Sequence, residues 1–84
     1  MQILFMTHAW EDYLYWQQTD KKMSRKLNGL IKECQQTPFE GTGKPEKLKE
    51  NLSGWWSRRI NQEHRLVYKV ENKQLVIAQC RKHY

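Results

Sequence analysis

The sequence contains 84 residues (10.3 kDa), a length that predicts one domain, residues 1–84, and excludes a second. Hydrophobic residues make up 38% of the chain, which is too apolar for a disordered tail, and no apolar run exceeds four residues, far short of the ~20 that span a bilayer. The net charge of +6 favours a polyanionic partner, and with no membrane or export signal we expect a cytoplasmic protein without a membrane partner.

The first two predicted elements are a strand and a helix. Residues 2–6 form an apolar run that is long enough for one strand but too short for a helix. Thr7 follows, with a hydroxyl suited to capping a helix over residues 9–18. The spacing of one helical face predicts that it packs against the protein; this face consists of Trp10, Tyr13, Leu14 and Gln17. Trp10 and Trp16 are expected to be core or packing residues rather than platforms for nucleic-acid bases.

A second helix is predicted after Asp20, whose side chain can cap its start, so that the two helices form a hairpin. One side of this helix is a continuous apolar stripe of Met23, Leu27, Leu30, Ile31 and Cys34. The other side is basic and carries Lys21, Lys22, Arg25, Lys26 and Lys32. Gly29 lies inside the helix, where it costs about 1 kcal/mol relative to alanine.

Residues 37–54 are predicted to be mostly loop. The segment holds both prolines and three of the four glycines, and only residues 44–50 are suited to a brief strand or turn. Loops longer than about 12–15 residues in compact domains are usually functional or disordered. We therefore expect part of a functional site here.

Three strands, at residues 55–60, 64–70 and 74–80, are predicted to form an antiparallel meander. The middle strand alternates between one face with Leu66, Tyr68 and Val70 and another with Arg65, Val67 and Lys69. The predicted fold class is α+β, with the two N-terminal helices packed on one face of a four- or five-stranded, mainly antiparallel sheet.

Basic residues are concentrated in the second half of the chain. Residues 1–42 carry five Lys or Arg and five Asp or Glu, whereas residues 43–84 carry ten and four. The aromatic residues interleaved with this charge are suited to stacking on nucleic-acid bases: Trp55, Trp56, Tyr68 and Tyr84. The alternative is an excess of lysine that only keeps a small protein soluble.

Arg59 and Arg65 face each other across the first turn of the meander if that turn has three residues. Two like charges about 5 Å apart repel, and a phosphate held between the guanidinium groups would offset the repulsion. A turn one residue longer or shorter would put the two arginines on different faces and leave them as solvated charges.

Two further groups are suited to proton transfer. His83 and Tyr84 follow directly after a predicted strand, so the imidazole could be held at the rim of the basic face as a general acid. A frayed tail without a role is the alternative. Glu46 lies among three lysines of the loop, which favour the ionised carboxylate that a general base requires, although most loop glutamates only face water.

The two cysteines and three histidines indicate no metal site. Cys34 and Cys80 fit neither a disulfide framework nor a Cys-x-x-Cys spacing, and the histidines lie far apart in the sequence. No metal or other cofactor is therefore predicted. Cys34 lies on the apolar stripe and is expected to be a small core residue rather than a nucleophile.

Several spaced motifs together resemble the YoeB toxins of the RelE/ParE superfamily. The motifs are residues 37–41 (TPFEG), 43–46 (GKPE), 51–54 (NLSG), 56–60 (WSRRI), 64–68 (HRLVY) and the final His83 and Tyr84. Residues 13–16 (YLYW) and 20–21 (DK) are similar as well, so the resemblance runs from end to end. Trp55 departs from the pattern, where another aromatic residue is often found.

The resemblance implies an mRNA interferase toxin of a bacterial type II toxin–antitoxin system, which cleaves mRNA in the ribosomal A site without a metal ion. Carried over by position, the catalytic residues would be Glu46 as general base, Arg65 at the phosphate, His83 as general acid and Tyr84 in placing the substrate. The supporting RNA-binding residues would be Lys44, Lys49 and Arg59. The implied partners are mRNA, the ribosome and a cognate YefM-like antitoxin whose disordered acidic segment folds on binding, and a homodimer is compatible with the resemblance.

Two functions of other classes remain open. A related ParE-like toxin would inhibit a protein such as DNA gyrase without cutting anything. Glu46 and His83 argue for the nuclease, since an inhibitor needs no acid and base. A plain basic RNA-binding module would bind ribosomes or RNA but cleave neither.

Overall fold

The computed structural model describes residues 1–84, which form two helices and one five-stranded sheet. In chain order the elements are β1 (Gln2–Phe5), α1 (Thr7–Thr19), α2 (Lys21–Gln36), β2 (Glu46–Lys47), a 3₁₀ turn (Glu50–Leu52), β3 (Trp56–Arg59), β4 (Arg65–Glu71) and β5 (Gln74–Gln79). The strand order is β1-β5-β4-β3-β2. Only the β1–β5 pair is parallel, so the predicted mainly antiparallel α+β fold is confirmed.

Both helices lie on one face of the sheet. Twelve buried residues from the helices, from β4 and β5 and from the adjoining loops form one core cluster: Ala9, Trp16, Leu27, Leu30, Ile31, Cys34, Ile60, Leu66, Tyr68, Leu75, Ile77 and Cys80. Val70 was expected on this buried face but is 37% exposed, because it lies at the turn end of β4, outside the cluster. No helix of the chain is both long and apolar enough to cross a lipid bilayer.

The buried side of α1 differs from the predicted one. Ala9, Asp12 and Trp16 are buried, whereas Trp10 is 46% exposed and packs only at the surface, against the rings of Phe5 and Tyr13. Leu14 and Gln17 are likewise exposed. Burial of a carboxylate is tolerated because Asp12 Oδ2 accepts a hydrogen bond of 3.1 Å from the Cys80 backbone N–H.

The start of α1 also differs from the prediction. Thr7 is the first helical residue, Met6 occupies the cap position, and no side chain caps the helix. The cap of α2 is confirmed, since Asp20 Oδ1 accepts a hydrogen bond of 3.1 Å from the Met23 backbone N–H. The apolar stripe of α2 is confirmed as well, with Met23 half-buried against a core that includes the other four members.

Gly29 offers a test of helix propensity. A methyl group at this position would meet no atom within 4 Å beyond its chain neighbours and the backbone of its own helix, so Gly29→Ala is expected to raise the free energy of unfolding by about 1 kcal/mol in urea denaturation. Gly54→Ala is the matched control, because its added methyl is equally free of contacts but its φ of +94° disfavours any side chain. The control should lose stability, and a loss in both variants would contradict the propensity argument.

The face of the sheet opposite the helices carries the predicted basic residues. Because β3 pairs with β4 in the register Arg58↔Leu66 and Arg59↔Arg65, Arg58 shares the buried face with Leu66 while the other two arginines share the opposite face. We call this opposite face the open face; its strand residues include Glu46, Ser57, Arg59, Arg65, Val67, Lys69 and Gln79.

Candidate active site

A polar row crosses the open face at the level of Glu46. Cross-strand pairing joins Glu46 to Ser57, Ser57 to Val67 and Val67 to Gln79, so one line of side chains runs from β2 to β5. The Arg59–Arg65 pair is the next row, one two-residue step of ~7 Å along the strands. The register thereby brings a carboxylate and two guanidinium groups onto one surface.

The Arg65 guanidinium is held through only one of its nitrogens. Its Nη1 donates hydrogen bonds to three backbone carbonyls of the β3–β4 connection: Asn61 at 2.7 Å, Gln62 at 3.1 Å and His64 at 3.2 Å. Nε and Nη2 make no hydrogen bond within the protein and remain able to donate to a ligand. Arg59 is exposed, and its backbone N–H donates to the Gly43 carbonyl at 2.7 Å, which ties the predicted loop to β3.

The tail after β5, residues 80–84, lies against the open face. Ser57 Oγ donates a long hydrogen bond, 3.5 Å, to Tyr84 Oη, and the rings of His83 and Tyr84 are 5.2 Å apart. Both tail residues are exposed, whereas Ser57 and Val67 beneath this region are each only 3% exposed. The structure thus brings the two tail residues to the face that carries Glu46 and Arg65.

Lys44 and Lys49 flank β2 on either side of Glu46. Lys44 has a φ of 52°, in the left-handed region, and Lys49 immediately precedes the 3₁₀ turn. Neither ammonium group forms a hydrogen bond or ion pair with the protein, and both lysines are exposed. The two lysines lie on either side of Glu46 in the sequence, but no contact within the protein holds their ammonium groups near its carboxylate.

Arg58 was given no role by the sequence analysis, yet it is fully buried and holds the loop before β2. Its guanidinium donates to the carbonyls of Thr37, Glu40 (2.8 Å) and Thr42 (3.2 Å), to the Glu33 carboxylate and to the Tyr68 hydroxyl at 3.1 Å. The signal was available in the strand alternation, which puts Arg58 on the face opposite Arg59. One side chain therefore shapes the chain that leads to Glu46.

The partners of Arg58 are themselves held in place. The Glu33 carboxylate accepts hydrogen bonds from the Thr42 N–H at 2.6 Å and hydroxyl at 2.9 Å, and these bonds, with Arg58, hold its pKa below the ordinary value of 4.5. Tyr68 donates to the Pro38 carbonyl at 2.6 Å, and burial raises its pKa to about 12. For Arg58, burial alone would lower the pKa, but its hydrogen bonds and neighbouring charges outweigh burial and raise it.

The cysteines are buried and free. Burial raises the pKa of Cys34 to about 11 and that of Cys80 to about 12, so both thiols are protonated at neutral pH. This agrees with the predicted core role of Cys34. No group of three or more His, Cys, Asp or Glu side chains is arranged to hold a metal ion.

Four aromatic residues were considered for base stacking. Tyr68 cannot stack on a base because it is fully buried beneath the helices. Trp56 is half-buried and packs against Phe39 with ring centroids 4.7 Å apart. Trp55 borders the open face, since the Lys69 ammonium lies 4.6 Å from its ring centroid. Trp55 and Tyr84 are therefore the aromatic rings that this face presents.

The chain is similar to known proteins over nearly its whole length. Residues 5–84 match the family described as "YoeB-like toxin of bacterial type II toxin-antitoxin system". Toxin YoeB of Escherichia coli K12 is 60% identical over the full length of both chains. A YoeB/ParE toxin from Agrobacterium tumefaciens, 48% identical over the full length of both chains, superposes with a TM-score of 0.97.

Staphylococcus aureus YoeB, solved both as a heterotetramer with YefM and as a dimer, is 54% identical over 100% of this chain and 98% of its own, with a TM-score of 0.91. YafQ from E. coli shares the fold at 20% identity, with a TM-score of 0.81 over 98% of this chain and 92% of its own. The family match covers nearly the whole sequence, and the full-length relatives share about half of their residues or more with it. The chain therefore belongs to the YoeB family of toxins from bacterial type II toxin–antitoxin systems.

Proposed function

We propose that this toxin is a ribosome-dependent endoribonuclease, an mRNA interferase that cleaves mRNA in the ribosomal A site. The observation that carries the proposal is the pairing that brings Glu46, Arg59 and Arg65 onto one open face beside the tail with His83 and Tyr84. A base, a phosphate-binding cation and an acid on one exposed surface are what cleavage of RNA by its own 2′-hydroxyl requires.

In the proposed reaction the Glu46 carboxylate takes the proton from a ribose 2′-hydroxyl, and the 2′-oxygen attacks the adjacent phosphorus. As the bond from phosphorus to the 5′-oxygen breaks, protonated His83 gives its proton to that oxygen. The products are a 2′,3′-cyclic phosphate and a free 5′-hydroxyl. Glu46, His83 and the phosphate-binding Arg65 fill every role in the scheme, so it requires no metal ion or other cofactor.

Arg65 suits the role of binding the phosphate. Because Nη1 is already fixed by three carbonyls, the guanidinium does not have to reorganise when charge builds up on the phosphate in the transition state. Arg59 faces it across the strands at ~5 Å, where a bound phosphate offsets the repulsion between the two cations. Tyr84 places the substrate, and Lys44, Lys49 and Arg59 bind the RNA backbone.

We further propose a YefM-like antitoxin and a homodimer as protein partners. The S. aureus relative forms both kinds of assembly, and the net charge of +6 on this chain complements an acidic antitoxin segment that folds on binding. Apolar side chains near the N-terminus support a protein contact because they remain exposed: Met1, Ile3, Leu4, Met6, Trp10, Leu14 and Tyr15.

A translation reaction with purified ribosomes tests the proposal. The toxin should truncate the mRNA at the A site and leave 2′,3′-cyclic phosphate ends, and an mRNA with a 2′-deoxy residue at the cut site should bind equally well but survive. Cleavage of the 2′-deoxy mRNA would contradict the mechanism. Inhibition of DNA gyrase with intact mRNA would favour the ParE-like function, and ribosome binding without cleavage would favour a plain RNA-binding module.

A further inference from the structure

His64 lies directly before Arg65, and the sequence analysis gave it no role. It is the residue just outside the start of β4, and its side chain is almost completely buried. Its ring packs edge-on against Trp16 with centroids 4.8 Å apart, and its backbone N–H donates to Asn61 Oδ1 at 2.7 Å. The imidazole is therefore fixed by contacts that do not involve the proposed substrate surface.

The imidazole binds the backbone of the tail. The Lys82 N–H donates to His64 Nδ1 at 2.7 Å, and the Lys82 carbonyl accepts from the Arg65 N–H at 3.1 Å. Both backbone polar groups of Lys82 are thus bound by two consecutive residues, His64 and Arg65. Lys82 immediately precedes the proposed general acid His83, so these bonds set where the acid lies relative to Arg65.

The conformation of Lys82 shows why such an anchor is needed. Its φ is 67°, in the left-handed region that a residue other than glycine adopts at a conformational cost. Such a conformation persists only where the surroundings hold it. At the start of the tail, Trp16 Nε1 donates to the Cys80 carbonyl at 2.8 Å. Hydrogen bonds therefore hold the backbone both at Cys80 and at Lys82, the residue with the left-handed conformation.

We propose that His64 is a positioning residue which, as the neutral imidazole protonated at Nε2, holds Lys82 and thereby sets His83 beside Arg65. Nδ1 has to be the unprotonated nitrogen because it accepts the Lys82 N–H. Nε2 lies 3.7 Å from Glu63 Oε1, an arrangement that suits the nitrogen carrying the proton. This inference rests on the proposed function, since His83 and Arg65 are the acid and the phosphate-binding residue only in that mechanism.

The kinetic test compares two substitutions of His64. His64→Leu removes the acceptor, whereas the Oδ1 of His64→Asn can replace Nδ1. Misplacement of a catalytic group by about 1 Å can cost about 10²-fold in rate, so His64→Leu should lower single-turnover cleavage roughly 10–10²-fold. Binding to ribosomes should stay unchanged, and His64→Asn should restore most of the rate. His8→Leu makes the same chemical change at an exposed position of α1, so it is the control and should cleave normally.

A second measurement does not depend on cleavage. Nitrogen-15 NMR of the unmodified toxin should show His64 protonated at Nε2 and unprotonated at Nδ1. Hydrogen exchange of the Lys82 amide should be at least about tenfold faster in His64→Leu than in His64→Asn, because an amide that loses its acceptor becomes accessible to water. A proton on Nδ1, or equal exchange in the two variants, would overturn the proposal even if His64→Leu did not fold well enough for kinetics.

The two proposals fail in different ways. If the unmodified toxin truncates mRNA but a folded His64→Leu variant does so at the same rate, the positioning role is wrong and the proposed function stands. If the unmodified toxin cleaves nothing, the proposed function is wrong, and with it any catalytic consequence of His64. The exchange measurement then still decides whether the imidazole holds the tail.

Discussion

Glu46→Gln and His83→Gln should each lower single-turnover cleavage of ribosome-bound mRNA by roughly 10²–10⁴-fold, the usual contribution of a general base or acid. Glutamine keeps nearly the size and hydrogen-bonding capacity of either side chain but cannot transfer the proton. Both residues are exposed, so neither substitution should change the free energy of unfolding by more than about 0.5 kcal/mol. Binding should persist, which places the loss in the chemical step.

Matched controls separate proton transfer from a general change in charge. Glu50→Gln and His8→Gln make the same chemical changes at exposed positions outside the open-face rows, and both variants should cleave at the unmodified rate. Arg65→Ala should also lose rate, mostly in the chemical step, because charge on the phosphate develops in the transition state. A Glu46→Gln variant with full activity would exclude this carboxylate as the base.

Arg58→Met should cost about 3–5 kcal/mol of unfolding free energy, the range for breaking one side of a buried charged network. The substitution keeps apolar volume but leaves three loop carbonyls and the Tyr68 hydroxyl without their donor. Equilibrium urea denaturation, monitored by tryptophan fluorescence, measures the loss directly. The loop that leads to Glu46 should become more susceptible to proteolysis in the same variant.

The adjacent arginine provides the control. Arg59→Met makes the identical change one residue along the same strand, but on the exposed side of the sheet, so it should change the unfolding free energy by no more than about 0.5 kcal/mol. It should instead weaken RNA cleavage. Equal stability losses in the two variants would show that the carbonyls around Arg58 do not depend on its guanidinium.

The parts of the fold that depend on local pattern could be predicted. The cap of α2 at Asp20 and the apolar stripe that follows it are properties of consecutive residues, and both are confirmed. Arg59 and Arg65 were predicted to face each other on the condition that their turn has three residues, with different faces as the alternative, and the observed register has them facing each other. Each of these predictions required only neighbours within one element or one hairpin.

Several of the parts that failed depend on contacts distant in sequence, although the cap predicted at Thr7, a local feature, failed as well. The sequence pattern of α1 indicates a surface position for Asp12. Its carboxylate is buried because it accepts a hydrogen bond from the Cys80 backbone N–H, 68 positions later. His64 likewise carries no local signal, since its partner Lys82 is 18 positions away. Arg58 is different, because strand alternation already places it on the face opposite Arg59, yet no role was predicted for it.

The parallel pairing of β1 with β5 bears on the order in which the molecule assembles. Gln2 pairs with Gln74, so β1 has no partner in the sheet until β5 has been synthesised. Closing so large a loop is slow, because its entropy is lost before the contacts form. The bonds from α1 to Cys80 close at the same late stage. A nascent chain that has not reached β5 and the tail therefore lacks both the completed sheet and the residue proposed to protonate the leaving group, so the proposed cleavage would have to wait for these last elements.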